Sequence, residues 1–170
     1  EQNKNKFQEA TSYRAIFNIY HNLKMNDSAV KYALHSIRLT TAIGDTSNIA
    51  TNYGNLCWLY MDLNQYDKAI DYGIQGVAAG EHYMDTTGLL ISINNLALGY
   101  LRTSKNEKAV ELFTRQYKIG NLVNRARSVR NALVNLATIY YNTANVPALE
   151  STAAMLNEYN SADEEIDEKN

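Results

Sequence analysis

The sequence repeats itself every forty residues. Four tyrosines mark this interval: Tyr20, Tyr60, Tyr100 and Tyr140. Three of them close a similar segment that begins with Asn-Leu, at 55–60, 95–100 and 135–140. The segment at 15–20 keeps the apolar residues and the tyrosine, but it begins with Ala15 instead of asparagine. A period of this length is typical of repeat arrays, in which neighbouring units stack and share a continuous core.

Helical spacing of apolar residues runs through each repeat. In the first repeat Tyr13, Phe17 and Tyr20 follow the three-to-four-residue spacing of one helix face. A short polar break follows each such helix, and a second helix follows the break. The sequence therefore predicts an all-α fold, an α-solenoid of four antiparallel helical hairpins. The predicted helices are 8–24 and 27–43, 47–63 and 66–80, 86–104 and 106–120, and 124–143 and 146–159.

Small residues and glycines predict how the helices pack and end. One position of the second helices is small in three copies: Ala29, Ala69 and Ala109. Small residues let two helix backbones approach closely, so tight hairpins are expected. Gly44 and Gly120 are interpreted as helix stops, because glycine readily takes the left-handed conformation of a C-terminal cap. Asp45 and Asn121, which follow these glycines, would then serve the start of the next helix.

The repeats predict one domain over 1–160 and an acidic tail over 161–170. The repeat units are 8–46, 47–85, 86–123 and 124–160. The tail holds five of the 18 acidic residues, which leaves a repeat body with 15 basic and 13 acidic residues. Two interpretations of the tail stay open: a solvated or frayed end of the last helix, and a contact with a basic partner or region.

Composition bounds the class of protein. The 170 residues are 45% hydrophobic, which supplies a core, and the single proline and 8 glycines suit helices joined by short turns. A net charge of -2 gives no general attraction to nucleic acid or to a membrane. Cys57 is the one cysteine, so an internal disulfide is excluded.

The location of the chain in the cell stays open. No apolar run approaches the roughly 18 residues of a membrane-spanning helix. We therefore expect a soluble segment without membrane insertion, in the cytoplasm or the periplasm. Because the sequence starts Glu-Gln-Asn without methionine, we interpret it as a piece or a processed product of a longer protein, for which a membrane-anchored parent is one option.

The repeat signature resembles the tetratricopeptide repeat family. It consists of Leu96-Ala97-x-x-Tyr100 followed by Ala109-x-x-x-Phe113, and of Leu56-Cys57-x-x-Tyr60 followed by Tyr66-x-x-Ala69. The family repeat is about 34 residues long, whereas this one has forty and lacks the family's closing proline. It is similar to the longer-repeat branch of kinesin light chains, spindle-orientation adaptors and bacterial peptide-sensing regulators. The resemblance implies a right-handed superhelix with a concave groove; HEAT repeats are a more distant alternative.

Residue patterns for catalysis or metal binding are scarce. The sequence has no glycine-rich phosphate loop and no cysteine or histidine pair with metal-ligand spacing. His21, His35 and His82 fall on different elements and are interpreted as surface or groove residues. Cys57 falls on the apolar stripe, where it would act as a small core residue. The signature tyrosines are also assigned to the core. We predict a protein that is not an enzyme and that uses no cofactor and no metal.

Asparagines offer the stronger functional lead. Asn55, Asn95 and Asn135 occupy the same place on three first helices, beside the buried stripe. A carboxamide has both a donor and an acceptor, which match the amide and carbonyl of a peptide backbone. In the family that the chain resembles, asparagine at this place grips the main chain of a bound peptide, and the resemblance transfers that role to these three residues. The alternative is that they bond to a neighbouring helix or to each other.

Neighbouring residues extend the predicted groove. Trp58, the only tryptophan, falls off the core stripe and is interpreted as a recognition anchor, or as packing against the next repeat. Further members of the set share these helix faces: Asn18, His21, Leu98, Arg102, Tyr141 and Asn142. The groove is mostly neutral, which argues against an acidic C-terminal peptide as its ligand.

The leading functional prediction is a non-catalytic protein-interaction module that binds a peptide or partner segment in the groove. The alternative is a sensor or scaffold segment of a larger signalling protein, of the histidine kinase or transcription regulator type, that acts by self-association, for instance as a homodimer, or by domain coupling. Eight basic residues between Arg102 and Arg130 form the one charge asymmetry. We interpret them as a solvated face first and an acidic-partner patch second; no aromatic platform accompanies them, which argues against nucleic acid.

Overall fold

The chain folds into α-helices joined by short turns. The computed structural model describes residues 2–44, 46 and 48–167, with side chains described for 5–44, 46 and 48–160. These residues form eight helices and no strand: α1 (Gln2–Asn22), α2 (Asn26–Ala42), α3 (Ile49–Asp62), α4 (Tyr66–His82), α5 (Thr86–Arg102), α6 (Asn106–Leu122), α7 (Ala126–Asn142) and α8 (Val146–Asp167). The predicted all-α helical-repeat fold is confirmed.

The two outer helices are longer than the sequence pattern predicts. α1 begins at Gln2 instead of residue 8, and α8 continues to Asp167 instead of ending at 159. The backbone is therefore helical through 161–167, most of the acidic segment, while the acidic side chains there and Asp45 lie outside the described residues. Across the described ranges, no helix is long and apolar enough to cross a membrane.

A left-handed residue follows each of the first seven helices. These residues recur every twenty positions with φ between 53° and 67°: Lys24, Gly44, Asn64, Met84, Ser104, Asn124 and Ala144. After α1, the N–H of Lys24 donates to the carbonyl of His21 at 3.0 Å, and the N–H of Met25 donates to that of Tyr20 at 2.9 Å. Such a pair of bonds satisfies the last free carbonyls of a helix. The signature tyrosines thus stand where the first helices end.

The turns make a testable prediction, because only one of the seven left-handed residues is glycine. Met84 has φ 54° and is 88% exposed, so Met84→Gly removes strain without removing packing. The left-handed conformation costs a side-chain-bearing residue about 1–2 kcal/mol, and glycine loses roughly 0.5–1 kcal/mol of that gain through its freedom in the unfolded chain. We expect Met84→Gly to raise the free energy of unfolding by about 0.5–1 kcal/mol in urea denaturation.

Gly44 provides the matched control for this prediction. It has φ 67° and no atom within 4 Å of the place where a Cβ would stand. Gly44→Ala should therefore lower the free energy of unfolding by a similar amount, with no clash involved. Equal and same-signed effects of the two substitutions would contradict the strain argument.

Backbone contacts group the chain into two compact units, Glu1–Ser104 and Lys105–Asn170. The first unit contains α1 to α5. One core cluster joins residues of four of its helices: Phe17, Ala29, Ala33, Ile37, Leu56, Cys57, Leu59, Tyr60 and Ala69. Two tyrosine pairs forty residues apart stack beside it: Tyr20 lies 5.3 Å from Tyr32, and Tyr60 lies 5.3 Å from Tyr72, between ring centroids.

Glycines bring α4 against α5 within the first unit. A Cβ on Gly73 would lie 3.0 Å from Leu96 Cβ, and a Cβ on Gly80 would lie 2.7 Å from the Cα of Leu89. Gly73 also lies close to the first helix of its own hairpin, since its Cβ would stand 3.2 Å from Cys57 Sγ on α3, but the closest approach through these glycines is to α5, the next first helix.

The second unit contains α6, α7 and α8, with α7 packed against both neighbours. Its buried residues include Phe113, Val129 and Leu133. The interpretation of Gly120 as a helix stop is wrong: Gly120 lies inside α6, and Asn124 takes the left-handed conformation after it. A Cβ on Gly120 would lie 3.0 Å from Val129 Cγ2, so this glycine serves close packing against α7. Asn121 also lies inside α6 and begins no helix.

Candidate partner-binding surface

The first helices of the first unit follow one another in a constant register. His21 of α1 contacts Trp58 and Asp62 of α3, which lie 37 and 41 residues later. Gly54 of α3 meets Ile91 and Asn95 of α5 at the same two offsets. These equal offsets place α5 against α3 in the register in which α3 lies against α1. Residues with equivalent repeat positions on α1, α3 and α5 therefore share one surface.

Trp58 is partly exposed and is held by a buried histidine. Its indole is 41% exposed, and its ring lies edge-on to His21 with centroids 4.1 Å apart. His21 is only 2% exposed and stacks on Phe17 at 5.7 Å with an angle of 7° between the rings. The interpretation of His21 as a surface or groove residue is thus wrong, because its ring fills the gap between α1 and α3. Its contribution to a surface is to position Trp58.

A carboxylate completes this cluster at the end of α3. His21 Nε2 lies 2.9 Å from Asp62 Oδ2, and the Nζ atom of Lys24 lies 3.6 Å from the same oxygen. The Asp62 side chain is 35% exposed, so it faces both the histidine and the solvent. The buried Nδ1 atom of His21 has no hydrogen-bond partner. The pairing of His21 with Asp62 fixes one ring orientation beneath Trp58.

Asn95 already bonds to a neighbouring helix. Its Nδ2 donates to the carbonyl of Gly54 on α3 at 2.9 Å, and Asn94 Nδ2 donates to Asn95 Oδ1 at 3.1 Å. Asn95 is half-buried, and its carboxamide has a second N–H and a second lone pair on its oxygen. The bond to a neighbouring helix, one of the two alternatives from the sequence, is present here. Ligand binding by Asn95 stays a prediction.

The other two asparagines have different surroundings. Asn55 on α3 is half-buried on the same surface as Asn95. Asn135 belongs to the second unit, where its Nδ2 donates to the carbonyl of Asn131 one turn earlier in α7, at 2.9 Å. The asparagines that share a unit are therefore Asn55 and Asn95.

The remaining predicted residues divide between the two units. In the first unit, Asn18 is exposed on α1, Leu98 is half-buried on α5 and Arg102 is exposed in the last turn of α5. In the second unit, Tyr141 is 71% exposed and Asn142 is exposed, both at the end of α7. We call the following set the Trp58 surface: Asn18, Asn55, Trp58, Asp62, Asn95, Leu98 and Arg102. Asp62, which the helical spacing also sets beside this face, belongs to the surface through its contact with His21.

Side chains that could carry out catalysis or bind a metal are few in the described part of the chain. No cluster of three or more histidine, cysteine or acidic side chains could hold a metal ion there. Cys57 is fully buried, as its position on the apolar stripe predicts. Burial raises the pKa of its thiol from 9.0 to about 12, against a smaller opposing effect of a hydrogen bond with the Gly73 backbone. The thiol is therefore protonated at neutral pH.

Comparisons with known proteins show the fold. No protein-family model matches the sequence, and no curated protein is similar to it. Among solved structures, BtubC (BKLC) from P. vanneervenii is similar with a TM-score of 0.78 and 15% identity over 90% of this chain. Aspartyl phosphate phosphatase F from Bacillus subtilis is similar with a TM-score of 0.84 and 16% identity over 92% of this chain.

The chain spans 63% of the length of BtubC and 41% of that of the phosphatase. At these identities the likeness establishes architecture alone. Together with the eight helices and the forty-residue repeat, it places the chain in the class of helical-repeat proteins with an α-solenoid fold.

Proposed function

We propose that the chain is a non-catalytic protein-interaction module of the tetratricopeptide type, and that the Trp58 surface binds a peptide segment of a protein partner. The forty-residue signature supports the family, since Leu96-Ala97-x-x-Tyr100 recurs in related form in the other repeats. The similarity of the fold to other helical-repeat structures agrees with it.

The observation that carries the proposal is a fixed yet accessible tryptophan. Trp58 is 41% exposed, although its ring packs edge-on against His21, which Phe17 and Asp62 hold in place. Tryptophans of this kind dominate binding energy at protein interfaces. A side chain that is already held in place loses little conformational freedom on binding, which favours affinity.

Polar groups beside Trp58 suit the backbone of a peptide. Asn95 lies on α5, which bonds to α3 through Gly54, while Asn55 lies one turn away on the same helix as Trp58. Each carboxamide can donate to a peptide carbonyl and accept from a peptide amide. The charges on the surface are mixed, with Asp62 on α3 and Arg102 on α5. We therefore expect a ligand of low net charge with an apolar side chain over the indole.

Panning a peptide library displayed on phage against the 170-residue chain would test the proposal. Trp58 is the only tryptophan, so its fluorescence reports directly on peptides that bind at this surface. For a selected peptide, Trp58→Ala should weaken binding by about 2 kcal/mol, or roughly 30-fold, in calorimetry. Asn95→Ala should also weaken it, and its lost hydrogen bond to Gly54 should lower the free energy of unfolding by about 1 kcal/mol.

Tyr83 offers a control of similar chemistry. It is an aromatic residue, 36% exposed, at the end of α4 and outside the Trp58 surface. Tyr83→Ala should leave peptide affinity unchanged. Selected peptides that bind the Trp58→Ala and Asn95→Ala variants as tightly as the original chain would overturn the proposed site.

A further inference from the structure

The contact between a second helix and the next first helix recurs with the forty-residue period. Gly80 meets Leu89 where α4 packs on α5, and Gly120 meets Val129 where α6 packs on α7. Ser36 of α2 bonds to Asn52 of α3 at 3.0 Å, while Gly76 of α4 meets Ser92 of α5. Each pair stands forty residues from its counterpart. One interface is therefore used repeatedly, with equivalent repeat positions opposite each other.

On the first helices, one position of this interface is buried in three of the four repeats and exposed in the first. Gly99 of α5 meets Ile70 of α4, with 3.5 Å between its ideal Cβ and Ile70 Cγ1. The equivalent Leu59 and Ile139 are 0% and 4% exposed. Ile19, which holds the same position on α1, is 57% exposed, and Leu23 one turn later is 63% exposed. α1 thus carries the first-helix half of this interface, but no second helix of the chain covers it.

On the second helices, the complementary position is uncovered on α8. Ser36, Gly76 and Gln116 hold it in the other three second helices, and all are buried. Leu156 holds it on α8 and is partly exposed, as is Ala153, the counterpart of Gly73. The chain therefore presents both halves of one interface, the first on α1 and the second on α8.

We propose that copies of this chain associate head to tail, with α8 of one copy packed on α1 of the next in the register that α4 and α5 use. That register sets Ala153 opposite Ile16 and Leu156 opposite Ser12. The contact continues an interface already present inside the chain, where the position of Leu156 is also taken by Ser36 on α2 and Gln116 on α6. It uses the uncovered halves of that interface.

The lengths of the two outer helices favour a second copy as the occupant. α1 has 21 residues and α8 has 22, whereas the inner helices have 14 to 17. In the proposed register the start of α1 runs antiparallel to the end of α8, so the additional turns lie side by side.

Head-to-tail contacts use two different faces, so they can build species larger than a dimer. In sedimentation velocity, the average sedimentation coefficient of the chain should rise with concentration. Ile19→Glu, on an exposed position that the register sets opposite Glu150, should abolish the concentration dependence and leave the circular dichroism spectrum unchanged. Leu156→Arg should do the same from the other face, and Ala153→Arg replaces it if Leu156→Arg fails to fold.

Mixing the two variants gives the sharpest test. The Ile19→Glu chain keeps an intact α8 face and the Leu156→Arg chain keeps an intact α1 face, so an equimolar mixture should form dimers that grow no further. Met84→Arg, at an exposed turn, is the control and should associate like the original chain. A chain that stays monomeric at all concentrations would overturn the proposal and point to a different occupant, such as a helix of another protein. Association that survives Ile19→Glu would overturn it as well.

Discussion

Leu59→Ala is expected to lower the free energy of unfolding by about 2–5 kcal/mol. Leu59 is 0% exposed and belongs to the core cluster that joins α1, α2, α3 and α4. The substitution removes three side-chain carbons from a site enclosed by these helices, and a cavity remains wherever they cannot close in. Urea denaturation followed by the fluorescence of Trp58, which lies next to Leu59 on α3, would measure the loss.

Ile19→Ala is the matched control, since Ile19 holds the same repeat position. Its side chain is 57% exposed, so the substitution should change the free energy of unfolding by no more than about 0.5 kcal/mol. The measurement is made at low protein concentration, where association through α1 does not contribute. A loss at Ile19 as large as that at Leu59 would show that α1 is covered, and it would contradict the assignment of an open interface half.

The difference between these two positions shows what a repeat pattern predicts. The apolar character of Ile19 and Leu59 follows from the shared helix face, and the sequence predicts both as members of a stripe. Their burial differs because it depends on the helix that precedes each of them in the array. Periodicity therefore predicts which face is apolar, whereas the neighbours of a particular copy decide whether that face is covered.

Turn positions were predictable only in part. Ile43-Gly44 and Ile119-Gly120 look alike in sequence, yet Gly44 is left-handed and Gly120 is helical. The left-handed position recurs every twenty residues and is taken by Lys24, Met84 and Ala144 among others. Because most of these residues are not glycine, residue preference does not reveal them. The regular helix length fixes the positions of the turns. Gly120 is small because a side chain at this place would crowd Val129.

The candidate site was also predicted in part. The place of Trp58 beside the apolar stripe follows from helical spacing, and its partial exposure agrees. Its contact with His21 depends on the offset of 37 residues between α1 and α3, which the stacking of two helices sets and a single helix pattern does not contain. For the same reason the sequence left open whether Asn95 bonds to a neighbouring helix, and Gly54 is its partner.

Gly80→Ala is expected to destabilise the first unit by about 1–3 kcal/mol, because it overpacks the contact between α4 and α5. The added Cβ would lie 2.7 Å from the Cα and 2.9 Å from the N of Leu89. These are backbone atoms, so no side-chain rotation relieves the clash and the start of α5 must move. The intrinsic preference of alanine over glycine inside a helix offsets only about 0.5–1 kcal/mol.

Gly99→Ala separates this effect from helix propensity, since Gly99 also lies inside a helix of the first unit. A Cβ there would meet Ile70 Cγ1 at 3.5 Å and Met61 Sδ at 3.8 Å, which are ordinary contacts. Gly99→Ala should therefore raise the free energy of unfolding by about 0.5–1 kcal/mol, as the lost flexibility of the unfolded chain predicts. Urea titrations followed by Trp58 fluorescence would compare both variants. The two effects should have opposite signs, because these glycines serve different purposes: Gly80 admits the backbone of α5, and Gly99 leaves room that a methyl group can fill.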